Sequence, residues 1–202
     1  TYDKYLEGFR HRISGAVPWA NYSAYEIRII GALVRLGRRR EVHELLTFFL
    51  SDRRIPPWNQ WPEISWHDPH SPSFIGDMPH SWIGAEYILA VRSLFAYERE
   101  ADQSLVIAAG VADHWLDAGG EIVVRDLPTY YGPLSYSLRR EGADTLRMTL
   151  EGELAMPPGG IIVLPPLSRP LVHVEINGRN SPAFGPEWAL CGECPADLLL
   201  RS

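Results

Sequence analysis

The 202-residue chain is 46% hydrophobic and 22% charged, with a formal net charge of −6. That balance is ordinary for a folded globular protein and excludes disorder and a fibrous class; the acidic sign argues against nucleic acid as a partner. No run of about 18 apolar residues occurs, so no helix crosses a bilayer and no membrane partner is expected. The chain opens on Thr1 without a charged-then-apolar leader, so a targeting peptide is expected to be absent or already removed. Seven Trp and nine Tyr supply more flat ring surface than a core alone needs, and sugars are ligands that use such rings.

The first hundred residues carry helical period. Tyr2, Tyr5, Leu6, Phe9 and Ile13 fall on one helix face. Ser23 and Glu26 have capping-box spacing, with Tyr22 and Ile27 placed as a hydrophobic staple, so a second helix is expected there. Its buried stripe is Ile27, Ile30, Leu33 and Val34, and Gly37 is its stop. The basic run Arg38 to Arg40 reads as a solvated turn. A third helix carries Val42, Leu45, Leu46 and Phe49 and ends near Ser51, before Pro56-Pro57, completing a helical hairpin.

Residues 51–80 form a long stretch rich in Pro and Trp without clear period, too long for an ordinary connection. Its aromatics exclude disorder. A further helix starts at Ser81, with Ile83, Tyr87, Val91, Leu94 and Phe95 on its packed face and Trp82 and Glu86 on another. After about Glu100 the period becomes 2: Leu134, Tyr136 and Leu138, then Leu146, Met148 and Leu150, alternate with polar residues. Frequent Gly and Pro turns argue for an antiparallel β-sandwich, and Asn177-Gly178 is a type I′ hairpin signal. The chain therefore divides into a helical segment, 1–100, and a β-sandwich, 101–202, an α+β protein. The helices look too few to bury their own apolar stripes, as if the other walls of a larger cavity were missing.

Three segments carry a resemblance: Trp58 to Glu63, Gly76 to Glu86, and Leu127 to Tyr136. They resemble the C-terminal end of six-hairpin glycoside hydrolases, closest to the α-L-rhamnosidase-like group. The resemblance implies that residues 1–100 are hairpins of a partial α/α toroid, followed by the β-sandwich. It implies a carbohydrate substrate and an enzyme that cuts a glycosidic bond with two carboxyl groups. Because three or four helices cannot close a ring of six hairpins, it also implies a fragment or one part of an assembly. The rest of the barrel would come from the parent chain or another subunit, and the general acid would lie outside this chain.

Glycosidic cleavage places one carboxyl group to protonate the leaving oxygen and another to activate water or attack. Glu63 and Asp77 are the candidates here, Glu63 favoured because Trp58, Trp61 and Trp66 surround it in sequence and desolvation raises a carboxyl pKa. Asp77 also suits a helix start, where negative charge is favourable. Trp58, Trp61, Trp66, His80, Trp82 and Glu86 are candidate sugar contacts, each Trp serving equally well in a core. His67, Asp68, His70, Asp77 and His80 hold metal-ligand types, but on a loop that does not aim them, so neither metal nor cofactor is expected. Cys191 and Cys194 read as thiols in a turn between strands or a local disulfide. The alternative to a hydrolase is a carbohydrate-binding or structural accessory module without catalysis.

Overall fold

The computed structural model describes residues 1–202 except 55, 69 and 72–77. Helix α1 (Tyr2–Ile13) turns Leu6 and Phe9 inward, while Tyr2 and Ile13, expected on the same stripe, stay exposed. Strand β1 (Asn21–Ser23) leads into a 3-10 turn, Ala24–Ile27, and then α2 (Arg28–Arg35). The expected capping box does not form. Ser23 accepts a hydrogen bond from the Tyr25 amide, but the Glu26 carboxylate turns away to Arg12 and Tyr5.

Gly37 closes α2 at φ +70, with its amide bonded to Val34 O and the Arg38 amide to Leu33 O. These paired bonds satisfy carbonyls that the helix end leaves open. Helix α3 (Arg39–Ser51) buries Val42, Leu45, Leu46 and Phe49, the four residues its period indicates. Strand β2 (Ile64–Trp66) returns to pair with β1, anchoring the aromatic stretch, and α4 (Ser81–Phe95) runs without a break into β3 (Ala96–Arg99).

The strands that follow are β4 (Ser104–Ile107), β5 (Glu121–Thr129), β6 (Gly132–Gly142), β7 (Thr145–Glu151) and β8 (Ile161–Val163). The last five are β9 (His173–Ile176), β10 (Arg179–Asn180), β11 (Phe184–Gly185), β12 (Trp188–Cys191) and β13 (Ala196–Arg201). One sheet has the order β10-β9-β13-β7-β6-β5, all antiparallel, and the other β11-β12-β8-β4-β3, with the single parallel pair β4-β8. Asn177 and Gly178, both at positive φ, make the tight turn between β9 and β10 that their sequence indicates. Cys191 ends β12 and Cys194 precedes β13; both are free thiols, and burial pushes the Cys191 thiol up.

The two sheets close over one core built from Leu134, Tyr136, Met148 and Leu198 on one side and Leu105, Ile107, Ile161 and Val163 on the other. The alternate residues of the five-stranded sheet, Val106 and Ile162, face the opposite way and pack with Ile30, Leu33, Leu45 and Phe49 of the helices. That sheet is therefore buried on both faces, and the order of layers is helices, five strands, six strands. This corrects one expectation. The stripes of α2 and α3 do not await a missing wall, because the chain's own second half covers them. The exposed apolar face belongs to α4, where Trp82 is 71% accessible, Ile88 66% and Leu89 60%.

The run Arg38 to Arg40 is also more than a solvated turn. Arg38 pairs with Asp3 and Glu41, and Arg39 reaches across to backbone carbonyls beside the five-stranded sheet. At the same joint His43 donates from Nε2 to Gly110 O at 2.9 Å, with its ring edge-on to Trp115 at 5.0 Å. A Cβ on Gly110 would meet Leu94 Cδ2 at 2.4 Å and Leu94 Cα at 2.7 Å, so only glycine permits this approach.

Burial holds the His43 imidazole below its ordinary pKa of 6.5, aided by His114 and Arg39 and opposed by the bond to Gly110. The unfolded chain then takes up the proton first as pH falls. The stabilisation by the neutral ring is complete above about 6.5 and is lost progressively below it, toward the lower folded-state pKa. Thermal melts from pH 7.5 to pH 5 are expected to show a steeper loss for wild type than for His43→Gln. Parallel curves would mean that His43 makes no contribution to the dependence.

Candidate functional site

The N-terminal end of α4, the C-terminal end of α3, Arg53 and residues 59–61 enclose a cleft of about 260 Å³. Its floor is aromatic. Trp61 is buried, its indole N–H donating to Phe49 O at 2.8 Å, and its ring lies 4.8 Å from that of Tyr87. The bond to Phe49 O ties this part of the chain back to α3 and gives the buried indole N–H the partner it needs. Arg53, Asn59, Gln60 and His80 supply polar groups along the rim. The Gln60 Oε1 atom is buried and has no hydrogen-bond partner among the described residues, an acceptor left open on the wall.

His80 joins this cleft to a second group of side chains. Its Nε2 lies 3.1 Å from Tyr25 Oη, and its ring sits edge-on to the exposed indole of Trp82 at 6.1 Å. Arg28 stacks over the Tyr25 ring at 4.5 Å and pairs with Glu86 at 3.3 Å. Desolvation raises the Tyr25 phenol pKa, with Glu63 adding to the rise and Arg28 opposing it. Tyr25, Arg28, Glu63, His80, Trp82 and Glu86 thus form one patch of aromatic, cationic and acidic groups at the mouth of the helices. The 3-10 turn before α2 positions Tyr25, and the first turn of α4 positions His80 and Trp82.

The residues singled out from sequence divide accordingly. Trp61 and His80 line the cleft, Trp82 lies beside His80, and Glu86 and Glu63 join the patch through Arg28 and Tyr25. Glu63 is half-buried immediately before β2, and its backbone carbonyl accepts from the Ala24 amide at 3.0 Å. Trp58 lies on the 3-10 turn Pro56–Trp58 and is 57% accessible, while Trp66 lies in β2 opposite Asn21. Neither is among the described residues lining the cleft. Asp77 lies outside the described residues.

The histidines considered for metal binding are dispersed. The His67 ring stacks on Trp19 at 4.4 Å, the His70 amide is bonded to the Asp68 carboxylate at 2.8 Å, and His80 contacts Tyr25. Among the described residues no group of three or more His, Cys, Asp or Glu side chains converges. Sequence reasoning missed Tyr25, Arg28, Arg53 and Gln60. Tyr25 and Arg28 are three apart, the spacing at which residues share a helix face; that spacing was the available signal.

No family model matches the chain, and no curated protein matches it. Among solved structures it is similar to a GH127 β-L-arabinofuranosidase from Geobacillus stearothermophilus T6, at a TM-score of 0.29 and 15% identity over 59% of this chain. The chain spans 18% of the length of that structure. No described helix is long and apolar enough to cross a membrane.

Proposed function

We propose that the chain is the C-terminal part of a glycoside hydrolase, with its sugar-contacting surface at the N-terminal end of α4. The observation that carries this reading is the pairing of an aromatic-floored cleft with an exposed Trp82 and the polar patch around His80. Pyranose rings present apolar faces bordered by hydroxyls, and such a ligand is held by aromatic planes edged with planar amide, guanidinium and imidazole groups. Glu63 is assigned as the carboxylate that activates water, with the general acid supplied from outside residues 1–202. In this reading residues 1–100 form hairpins of an α/α barrel, and residues 101–202 are a sandwich behind them. The uncovered part of α4 beyond the cleft, around Leu89, is where further barrel helices would pack.

A second reading, a non-catalytic carbohydrate-binding or structural accessory module, is favoured by one observation: α2 and α3 are already covered by the five-stranded sheet. A module of that kind needs no further helices to bury them.

The shared element of both carbohydrate readings is tested by titrating oligosaccharides into the chain. Trp82→Ala is expected to weaken binding by roughly 1–2 kcal/mol, about 5- to 30-fold. The melting temperature should hold, because the indole is already 71% accessible. Equal affinities in the two proteins would remove Trp82 from the contact surface; no binding of any oligosaccharide would leave the structural module.

A further inference from the structure

A second cleft, of about 390 Å³, opens at the joint between the N-terminal end of α3 and the loops at residues 164–171 and 186–187. It is separate from the cleft beside Trp61. Its lining includes Arg39, Leu167, Ser168, Arg169, Pro186 and Glu187.

Arg39 is the unusual member. Its Nε donates to Ala109 O at 3.2 Å and its Nη2 to Leu164 O at 3.0 Å and Ala108 O at 3.5 Å. All three acceptors are neutral carbonyls. Among the described residues its Nη1 has no partner and no ion pair offsets its charge. Burial lowers its pKa, the direction expected of a guanidinium without a carboxylate against it; Asp113 and Glu187 oppose that shift from a distance. Asp113 is already bonded to Arg140. A second cation, Arg169, stands at the rim, 68% accessible, and its described partner is the Asp144 carboxylate at 3.4 Å, a loose and exposed pair.

We propose that this cleft binds a small polyhydroxylated carboxylate, one sugar acid in size, with its carboxylate on Arg39 and its hydroxyls on Glu187 and Ser168. Three features select that class. Arg39, held in place by its Nε and Nη2 bonds, keeps its two Nη1 hydrogens for a charge-assisted bond to a carboxylate oxygen. Two arginines against one glutamate leave the lining with a single positive charge, which suits a monoanion. Glu187 repels a compact dianion such as phosphate but accepts from hydroxyls, so an anion without hydroxyls leaves it unpaired. The inference stands on residues that the proposed hydrolase site does not use, and either can fail without the other.

Titration calorimetry of the full chain with D-glucuronate, D-glucose and inorganic phosphate tests it. Glucuronate is expected to saturate, with glucose and phosphate weaker by roughly tenfold or more. Arg39→Gln should weaken glucuronate binding by a similar factor. Arg39 also ties α3 to the sheet carbonyls, so Ser168→Trp provides the second arm: Ser168 is exposed, and an indole there fills the cleft without disturbing the core. That variant should melt as wild type does and lose glucuronate binding. Undiminished glucuronate binding in Ser168→Trp, glucose or phosphate binding as tight as glucuronate, or no saturation by glucuronate in the tens of millimolar would each overturn the proposal.

Discussion

Glu26→Ala is expected to destabilise the chain by about 3 kcal/mol, the lower end of the cost of breaking a buried ion pair by removing one partner. Arg12 and Glu26 form a two-point bond, Nη1 to Oε1 at 3.0 Å and Nη2 to Oε2 at 2.6 Å, with only 15% and 20% of their side chains accessible. The Tyr5 hydroxyl donates to the same carboxylate at 2.7 Å. Arg12 is otherwise enclosed by rings, its guanidinium carbon 4.9 Å from the Tyr22 centroid and 5.5 Å from that of Phe9. Without Glu26 the cation keeps the rings but loses its counter-charge, and the phenol loses its acceptor.

For a chain of this size the loss corresponds to a fall in melting temperature of about 6–12 °C. The comparison that isolates the cause is the double variant Arg12→Met/Glu26→Ala. A thioether side chain suits the aromatic cage and removes the stranded charge. It should therefore recover part of the loss. If the double variant is as unstable as the sum of the two single ones, the coupling between Arg12 and Glu26 is absent and packing alone explains the effect.

That ion pair also shows why local spacing reached only part of the structure. Ser23 and Glu26 have the separation of a reciprocal cap, yet the carboxylate is taken by an arginine 14 residues earlier, because a half-buried guanidinium needs charge more than a solvated amide needs a cap. The helices themselves were legible, since their stripes follow the 3.6-residue period and Gly37 and Pro56-Pro57 mark their ends. So were β6 and β7, which have one buried face and alternate.

Strands β4 and β8 lacked that signature. Both of their faces are covered, so Ser104–Ile107 and Ile161–Val163 read as unbroken short runs, which cannot be told from buried helix by period. That double burial is also what hid the answer to where the helical stripes go. The patch at the mouth of the helices was half legible. His80, Trp82 and Glu86 lie within one short segment, whereas Tyr25 and Arg28 come from another helix and meet them only through tertiary packing.

The largest functional effect follows from the assignment of Glu63. In the proposed hydrolase, Glu63→Gln is expected to lower turnover of an oligosaccharide about 10²- to 10⁴-fold, the contribution of general acid–base catalysis by a positioned side chain. The alternatives in the patch are less suited to the role. Glu86 is occupied by Arg28 at 3.3 Å, so its carboxylate is committed to a guanidinium. The Glu63 carboxylate makes no ion pair or hydrogen bond among the described residues, remains half-exposed, and is near enough to Tyr25 for its charge to raise the phenol pKa. What fixes the residue is its backbone, through the bond from the Ala24 amide, which the amide side chain of Gln leaves untouched. Melting temperature and oligosaccharide affinity should therefore stay near wild type while kcat falls. Glu86→Gln is expected to act mainly on KM, because it releases Arg28 from its place over Tyr25. Wild-type kcat in Glu63→Gln would remove Glu63 from the reaction. A loss of kcat in Glu86→Gln alone would transfer the role to the carboxylate now paired with Arg28.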